Sequence, residues 1–162
     1  MRAALERARE LADQPGAGSA IDPMIAPMLD RARTSAAAAR AEGADSAKWA
    51  EAEAAIEAAL LLNPASATAR CLRGDIAMVR RRVDEASRWY RECAERDDTN
   101  AAPWEGLARA RMIQGDRVGA EEAFRTAARL APDSWQAALN LGVFLRGLGE
   151  ADEAETWLKR AV

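Results

Sequence analysis

The residue types that usually carry catalysis are scarce in this chain. Its 162 residues include no histidine, which removes the commonest general base, the base of hydrolase triads and the commonest metal ligand. The two cysteines, Cys71 and Cys93, form no closely spaced pair, and no histidine is present to activate either thiol. The glycines match neither a phosphate-binding loop nor a dinucleotide fingerprint. We therefore expect a protein that is not an enzyme and needs no metal or other cofactor.

The charged residues indicate solvated surfaces rather than a reactive site. Adjacent carboxylates such as Glu121 and Glu122 suit the outer face of an amphipathic helix. The one basic run, Arg80 to Arg82, is interpreted as a solvated turn, with contact to phosphates or an acidic partner as the alternative. The net charge of −3 and the pI near 5.2 give no overall field that attracts nucleic acid or anionic lipid. We expect no nucleic-acid partner.

The composition favours packed helices. Hydrophobic residues make up 49% of the chain, many of them alanine, and aromatic residues only 5%. Alanine is the best helix former and lets helices approach closely, while runs of strand-forming residues are missing. No apolar run approaches the roughly 20 residues that span a bilayer, so we expect no membrane insertion. A cytoplasmic location is the default prediction, although a segment of an exported or anchored protein would have the same composition.

A repeat of 34 residues organises most of the chain. Alanine recurs at this spacing, and a large residue follows each alanine four positions later. The alanines are Ala52, Ala86, Ala120 and Ala154, and the large residues are Ile56, Tyr90, Phe124 and Leu158. Small residues let two antiparallel helices cross closely, and prolines such as Pro64 and Pro132 end the second helix of a pair. The repeat predicts stacked helix pairs.

The pattern resembles the tetratricopeptide repeat family, which places Trp-x2-Leu-Gly-x2-Tyr in the first helix, Ala-x3-Phe in the second, and a proline after it. The matching residues are Trp104, Leu107, Ala120, Phe124, Ala127 and Pro132, then Leu141, Gly142, Ala154 and Leu158. The resemblance implies an all-α fold, a right-handed α-solenoid of antiparallel helix pairs with about three to four repeats. Cys93 falls on an alanine place, so we expect it to pack as a small buried thiol. Cys71 lies on a first helix, and we expect packing there too.

The same resemblance implies a concave groove lined by the first helix of each pair, where a protein or peptide partner binds. Apolar positions such as Met78 and Met112 suit a partner with apolar anchors. The carboxylate clamp of some family members has no match here, so we do not expect chaperone C-terminal tails to bind. Asp75 and Arg109 fall on one place in successive repeats, and they either pair with each other or read ligand charge. The predicted groove residues are Leu72, Asp75, Met78, Glu105, Arg109, Met112, Gln136, Asn140, Val143 and Arg146.

The ends of the chain are less regular. Asp22 followed by Pro23 predicts the start of a helix that runs to about Glu42, after a loop over residues 14–19. Residues 1–13 form either the second half of an earlier repeat or a generic amphipathic helix. The predicted organisation is 1–21 as an N-terminal helix and loop, 22–66 as a divergent helix pair, and 67–100, 101–134 and 135–162 as repeats.

The last repeat stops before its expected proline place. We therefore expect either a segment of a longer protein or an edge that packs against another subunit. The residues of that possible oligomer edge are Leu148, Trp157 and Val162. The leading functional hypothesis is a protein-interaction module that acts as a scaffold or assembly factor. The alternatives are a self-associating structural module and a regulatory appendage of a larger enzyme or secretion assembly.

Overall fold

The computed structural model describes residues 17–43 and 46–162, with side chains from Pro23 onward. These residues form eight α-helices and contain no strand. The helices are α1 (Ala17–Glu42), α2 (Lys48–Leu62), α3 (Ala67–Val79), α4 (Val83–Arg96), α5 (Ala101–Gln114), α6 (Arg117–Leu130), α7 (Trp135–Leu148) and α8 (Ala151–Arg160).

The starts of α3, α5 and α7 share one capping device at 34-residue intervals. The side chains of Ser66, Asn100 and Ser134 accept hydrogen bonds of 3.2, 3.0 and 3.2 Å from backbone amides of the first helical turn. Those amides have no partner inside the helix, so the caps stabilise each helix start. The repeat therefore fixes where these helices begin.

The turns between the paired helices also recur. Gly115 and Gly149 adopt left-handed backbone conformations with φ of 81° and 88° after α5 and α7. The next backbone amide then bonds back to the carbonyl of Arg111 or Leu145, at 2.9 and 3.1 Å. Glycine suits this position because it has no Cβ to clash. Arg81 holds the equivalent place after α3, with φ of 60°.

The helices pack as an α-solenoid. Each helix contacts the next, and the first helices α1, α3, α5 and α7 also contact one another in order. The second helices α2, α4, α6 and α8 make no such contacts among the described residues. Because the first-helix row is the more closely packed, the stack curves with the first helices on its concave side.

The in-frame alanines lie at the helix crossings, as the repeat predicted. Ala52, Ala86 and Ala120 are completely buried. The large residues four positions later are also buried at Ile56, Tyr90 and Phe124, whereas Leu158 is partly buried. Small and large side chains thus alternate to fill the core.

The first described helix begins earlier than the sequence suggests. α1 begins at Ala17, so part of the expected loop is helical and Pro23 and Pro27 lie inside the helix rather than at its start. An Asp-Pro start signal is a local preference, and a helix can continue through proline at the loss of one backbone hydrogen bond. The predicted half-repeat over residues 1–13 lies outside the described residues.

Cys71 and Cys93 form a disulfide that joins α3 to α4. The expectation of two free thiols is therefore wrong, although Cys93 is buried as its alanine place implies. The two positions face each other across the helix pair with their Cα atoms 5.4 Å apart, within the range that a disulfide spans. The two cysteines are 22 residues apart in the sequence, and this spacing alone does not indicate that they pair.

In the part of the chain that the structure describes, none of the helices combines the length and apolar character that a membrane crossing requires.

Candidate binding groove

A cavity of about 430 Å³ opens between α5 and α7 on the concave side. We call it the α5–α7 cavity. Its lining residues come from both first helices and from the second helix between them: Arg109, Met112, Arg117, Phe124, Leu139, Asn140, Val143, Phe144, Gly147 and Leu148.

The floor and walls of the α5–α7 cavity are apolar. The rings of Phe124 and Phe144 are buried, and their centroids lie 5.2 Å apart. Above them, Met112 and Val143 are 48% and 46% exposed, and Leu139 is 37% exposed. When a partner covers apolar side chains this accessible, the free energy falls because apolar surface is removed from water.

The polar groups lie at the rim of the cavity. Arg109 and Arg117 contribute two positive charges. The amide of Asn140 donates a 3.0 Å hydrogen bond to the carboxylate of Glu105, which joins α7 to α5. This bond orients the Asn140 side chain, and the two arginines are the charged residues in the lining of the cavity.

A smaller depression of about 190 Å³ lies between α1 and α3. Leu72, Ile76 and Trp49 supply apolar surface there, and Asp75 lies beside them. The hydroxyl of Tyr90 donates a 2.8 Å hydrogen bond to Asp75. Burial raises the pKa of Tyr90 above its ordinary value, and the negative charge of Asp75 adds to the effect.

Tyr90 fills the crossing between α3 and α5. A Cβ atom on Gly74 would lie 2.9 Å from the Tyr90 ring, and one on Gly106 only 2.6 Å from it. The two glycines therefore admit the ring between the helix backbones. In the equivalent place of the next repeat, the ring of Phe124 instead lines the open α5–α7 cavity.

The structure brings together four of the predicted groove residues in the α5–α7 cavity, namely Arg109, Met112, Asn140 and Val143. Glu105 joins them through its bond to Asn140. Leu72 and Asp75 lie together in the α1–α3 depression.

The other predicted groove residues fall elsewhere. Met78 is half-buried against the core, and Gln136 is exposed outside the α5–α7 cavity. Arg146 lines a depression at the C-terminal end. Among the described residues, Asp75 and Arg109 form no ion pair, and Asp75 bonds Tyr90 instead.

The residues of the predicted oligomer edge separate into different surroundings. Leu148 lines the α5–α7 cavity. Trp157 packs against the core, donates a 3.4 Å hydrogen bond to Glu153, and lies 4.5 Å from the guanidinium of Arg160. Val162 is fully exposed beside a depression of about 330 Å³ that Ala151, Ala154 and Leu158 line.

Sequence reasoning did not assign Phe124, Phe144, Arg117 and Gly147 to the groove. Phe124 carries the core signal of the family pattern, and Phe144 follows Asn140 by one helical turn, a spacing that places both on one face. That spacing was the available signal. Arg117 belongs to a second helix, so a rule that assigns the groove to first helices does not include it.

Comparison with protein families gives a match to the family described as tetratricopeptide repeat, over residues 44–101 and 106–162. No curated protein matches the chain significantly by sequence.

Solved structures match along most of the chain. "Crystal structure of MamA" is 19% identical with a TM-score of 0.69 and covers 97% of this chain and 91% of its own. "Crystal structure of APC/C hetero-tetramer Cut9-Hcn1" is 24% identical with a TM-score of 0.61, and covers 65% of this chain but 20% of its own. "Crystal structure of YrrB: a TPR protein with an unusual peptide-binding site" is 22% identical with a TM-score of 0.60, and the match covers 68% of this chain and 57% of that chain. At these identities the likeness shows a shared fold.

Proposed function

This chain belongs to the tetratricopeptide repeat family, whose fold serves protein–protein interaction, and we propose that it binds a partner polypeptide in the concave groove, as a scaffold or assembly factor. The observation that carries the proposal is the α5–α7 cavity, with its aromatic floor of Phe124 and Phe144. Its volume of about 430 Å³ lies within the range of pockets that hold ligands.

The chemistry of the cavity favours apolar anchor residues in the partner. Met112, Leu139 and Val143 present accessible apolar surface around a buried floor. Methionine adapts its shape to irregular partners, because its side chain is unbranched and polarisable. An apolar side chain that enters the cavity removes surface on both molecules from water, which supplies the driving force for binding.

Panning a library of random peptides against the immobilised protein tests this proposal. We expect enriched peptides with apolar residues, and we expect Leu139→Glu to abolish the enrichment because the new carboxylate would have to be buried under the peptide. Leu61→Glu is the matched control, since Leu61 is 70% exposed on α2 outside the cavity. No enrichment, or enrichment that survives Leu139→Glu, would contradict the proposal.

A second candidate is self-association through the C-terminal end. The depression lined by Ala151, Ala154 and Leu158, with the exposed Val162 beside it, favours this alternative. Sedimentation over a range of protein concentrations would then show a dimer that Val162→Glu disrupts and Val118→Glu leaves intact. A monomer at every concentration would refute self-association and leave the groove proposal standing.

A further inference from the structure

A second cleft lies between the C-terminal end of α1, the start of α2 and the α3–α4 turn, and we call it the arginine cleft. It has a volume of about 500 Å³ and is lined by Arg40, Gly43, Trp49, Val79, Arg80, Arg81 and Arg82. Four of these seven residues are arginines, and no acidic residue lines the cleft in the part of the chain that the structure describes. The positive charge of these arginines contrasts with the net charge of −3 of the whole chain.

Glu53 neutralises the arginine cleft only in part. Its carboxylate accepts a short hydrogen bond from Arg80 and a second, of 3.3 Å, from Arg82. Arg82 also lies 3.6 Å from Glu85. Among the described residues, Arg40 and Arg81 have no ion pair. The interpretation of this run as a solvated turn therefore fits Arg81 and Arg82, which are exposed, but not Arg80, which is half-buried and pairs with Glu53.

The backbone of Arg81 adds an independent observation. Its φ of 60° lies in the left-handed region, in the place that Gly115 and Gly149 occupy in the following repeats. An arginine is less stable than glycine in this conformation, and residues held in such conformations cluster at binding sites. A positively charged side chain therefore lies at the cleft in a position where the backbone conformation favours glycine.

The arginine cleft is continuous with the concave side of the solenoid. It shares Arg40, Trp49 and Val79 with the α1–α3 depression. The guanidinium of Arg80 lies 5.8 Å from the Trp49 ring centroid, which holds one wall of the cleft in place. A polypeptide that follows the first helices can therefore extend into the cleft.

We propose that the arginine cleft binds the carboxylates of an acidic peptide segment, with Arg40 and Arg81 as the residues that contact it. The proposal rests on the proposed function, because the segment belongs to the polypeptide bound in the groove. Charge complementarity supports this occupant, since carboxylates match in charge and geometry the guanidinium groups of Arg40 and Arg81, which have no ion pair among the described residues. The overall negative charge of the protein disfavours a nucleic acid, whose backbone carries far more charge than four arginines neutralise.

Fluorescence anisotropy with labelled hexaglutamate, at low ionic strength, tests the proposal. We expect hexaglutamate to bind and hexaglutamine not to bind. Arg81→Gly should weaken the affinity about three- to tenfold, the loss of one charge-assisted contact. Combining it with Arg40→Gln should weaken the affinity further, and added salt should weaken binding to the wild-type protein.

Arg129→Gln is the matched control, because it removes one charge at an exposed position on α6, away from the cleft. Circular dichroism should show that all variants keep their helical content. Equal weakening by Arg129→Gln and Arg81→Gly would overturn the proposal, as would displacement of hexaglutamate by an equal concentration of oligothymidylate. Absence of hexaglutamate binding would also overturn it, whereas the peptide panning with Leu139→Glu reports on the groove independently.

Discussion

The hydroxyl of Tyr90 donates a 2.8 Å hydrogen bond to the carboxylate of Asp75, across the α3–α4 helix pair. The ring of Tyr90 lies against the backbones of Gly74 in α3 and Gly106 in α5. One side chain of α4 thus contacts both neighbouring first helices and bonds Asp75, a residue of the α1–α3 depression. The relationship links the packing of two repeats to the surface of the α1–α3 depression.

The stability of the protein should fall above pH 10 through Tyr90. Burial raises the pKa of Tyr90 above its ordinary value of 10.0, so the neutral phenol stabilises the fold fully below that pH. As pH rises further, unfolding releases a proton, and the free energy of unfolding should decline by up to about 1.4 kcal/mol per pH unit. Denaturant unfolding at several pH values measures the decline.

Tyr90→Phe provides the comparison, since it keeps the ring and removes the titrating group. This variant should lose about 1 kcal/mol at neutral pH with the hydrogen bond, and should lack the alkaline component. Tyr90 is the only tyrosine, so the phenolate absorbance of the wild-type protein reports its ionisation alone. Ionisation at the ordinary pKa in the folded protein would contradict the account.

Gly106→Ala should destabilise the fold because it crowds Tyr90. The added Cβ would lie 2.6 Å from the ring, and we expect a loss of about 1–3 kcal/mol in the free energy of unfolding. Gly147→Ala is the control, since its Cβ meets no atom within 4 Å and alanine favours the helix. That substitution should add about 0.5–1 kcal/mol. Similar effects of the two substitutions would refute the crossing geometry.

Arg81→Gly should stabilise the protein although it removes side-chain atoms. Glycine relieves the left-handed strain at φ of 60°, and we expect a gain of about 0.5–1 kcal/mol in thermal or denaturant unfolding. The converse control, Gly115→Ala, should lose about 1 kcal/mol because it places a Cβ in the same conformation. A loss of stability in Arg81→Gly would show that the arginine side chain stabilises the turn.

Reduction of the Cys71–Cys93 disulfide should lower the free energy of unfolding by about 3 kcal/mol. The bond closes a loop with a sequence separation of 22, and a closed loop restricts the unfolded chain. Cys93→Ala should unfold identically with and without reductant. Alkylation of the unreduced protein followed by mass measurement checks the bond itself, since two modified thiols would contradict it. The reducing cytoplasm keeps most thiols free. Two free thiols would therefore agree with the predicted cytoplasmic location, and an intact disulfide would favour an oxidising compartment.

The repeated core was predictable because its signal is periodic. Ala52, Ala86 and Ala120 recur at 34 residues in the sequence and are all completely buried in the fold. Met112 and Val143, which line the α5–α7 cavity, were predicted from the same frame, because the family resemblance assigns the first helices to the groove and helical spacing determines which residues share a face. These features depend on patterns that every repeat contains.

Features that occur once were not predictable in this way. The disulfide joins positions that hold Glu105 and Ala127 in the next repeat, so no periodic signal marks it. The left-handed Arg81 replaces a glycine, and local preference gives no reason to expect it. Arg80 and Arg82 also pair with Glu53, which lies in the preceding helix pair. Each of these depends on a contact between residues distant in sequence or on an exception to a propensity.

Calorimetric titration of a peptide selected by panning tests the central claim most directly. The wild-type protein, Val143→Glu and Val118→Glu are compared, since Val143 lines the α5–α7 cavity and Val118 is an equally small, 71% exposed valine outside it. We expect Val143→Glu to weaken binding at least about tenfold, because a carboxylate would be buried against the peptide, and Val118→Glu to leave the affinity unchanged. Equal affinities for all three proteins would contradict the claim that the groove between α5 and α7 is the binding site.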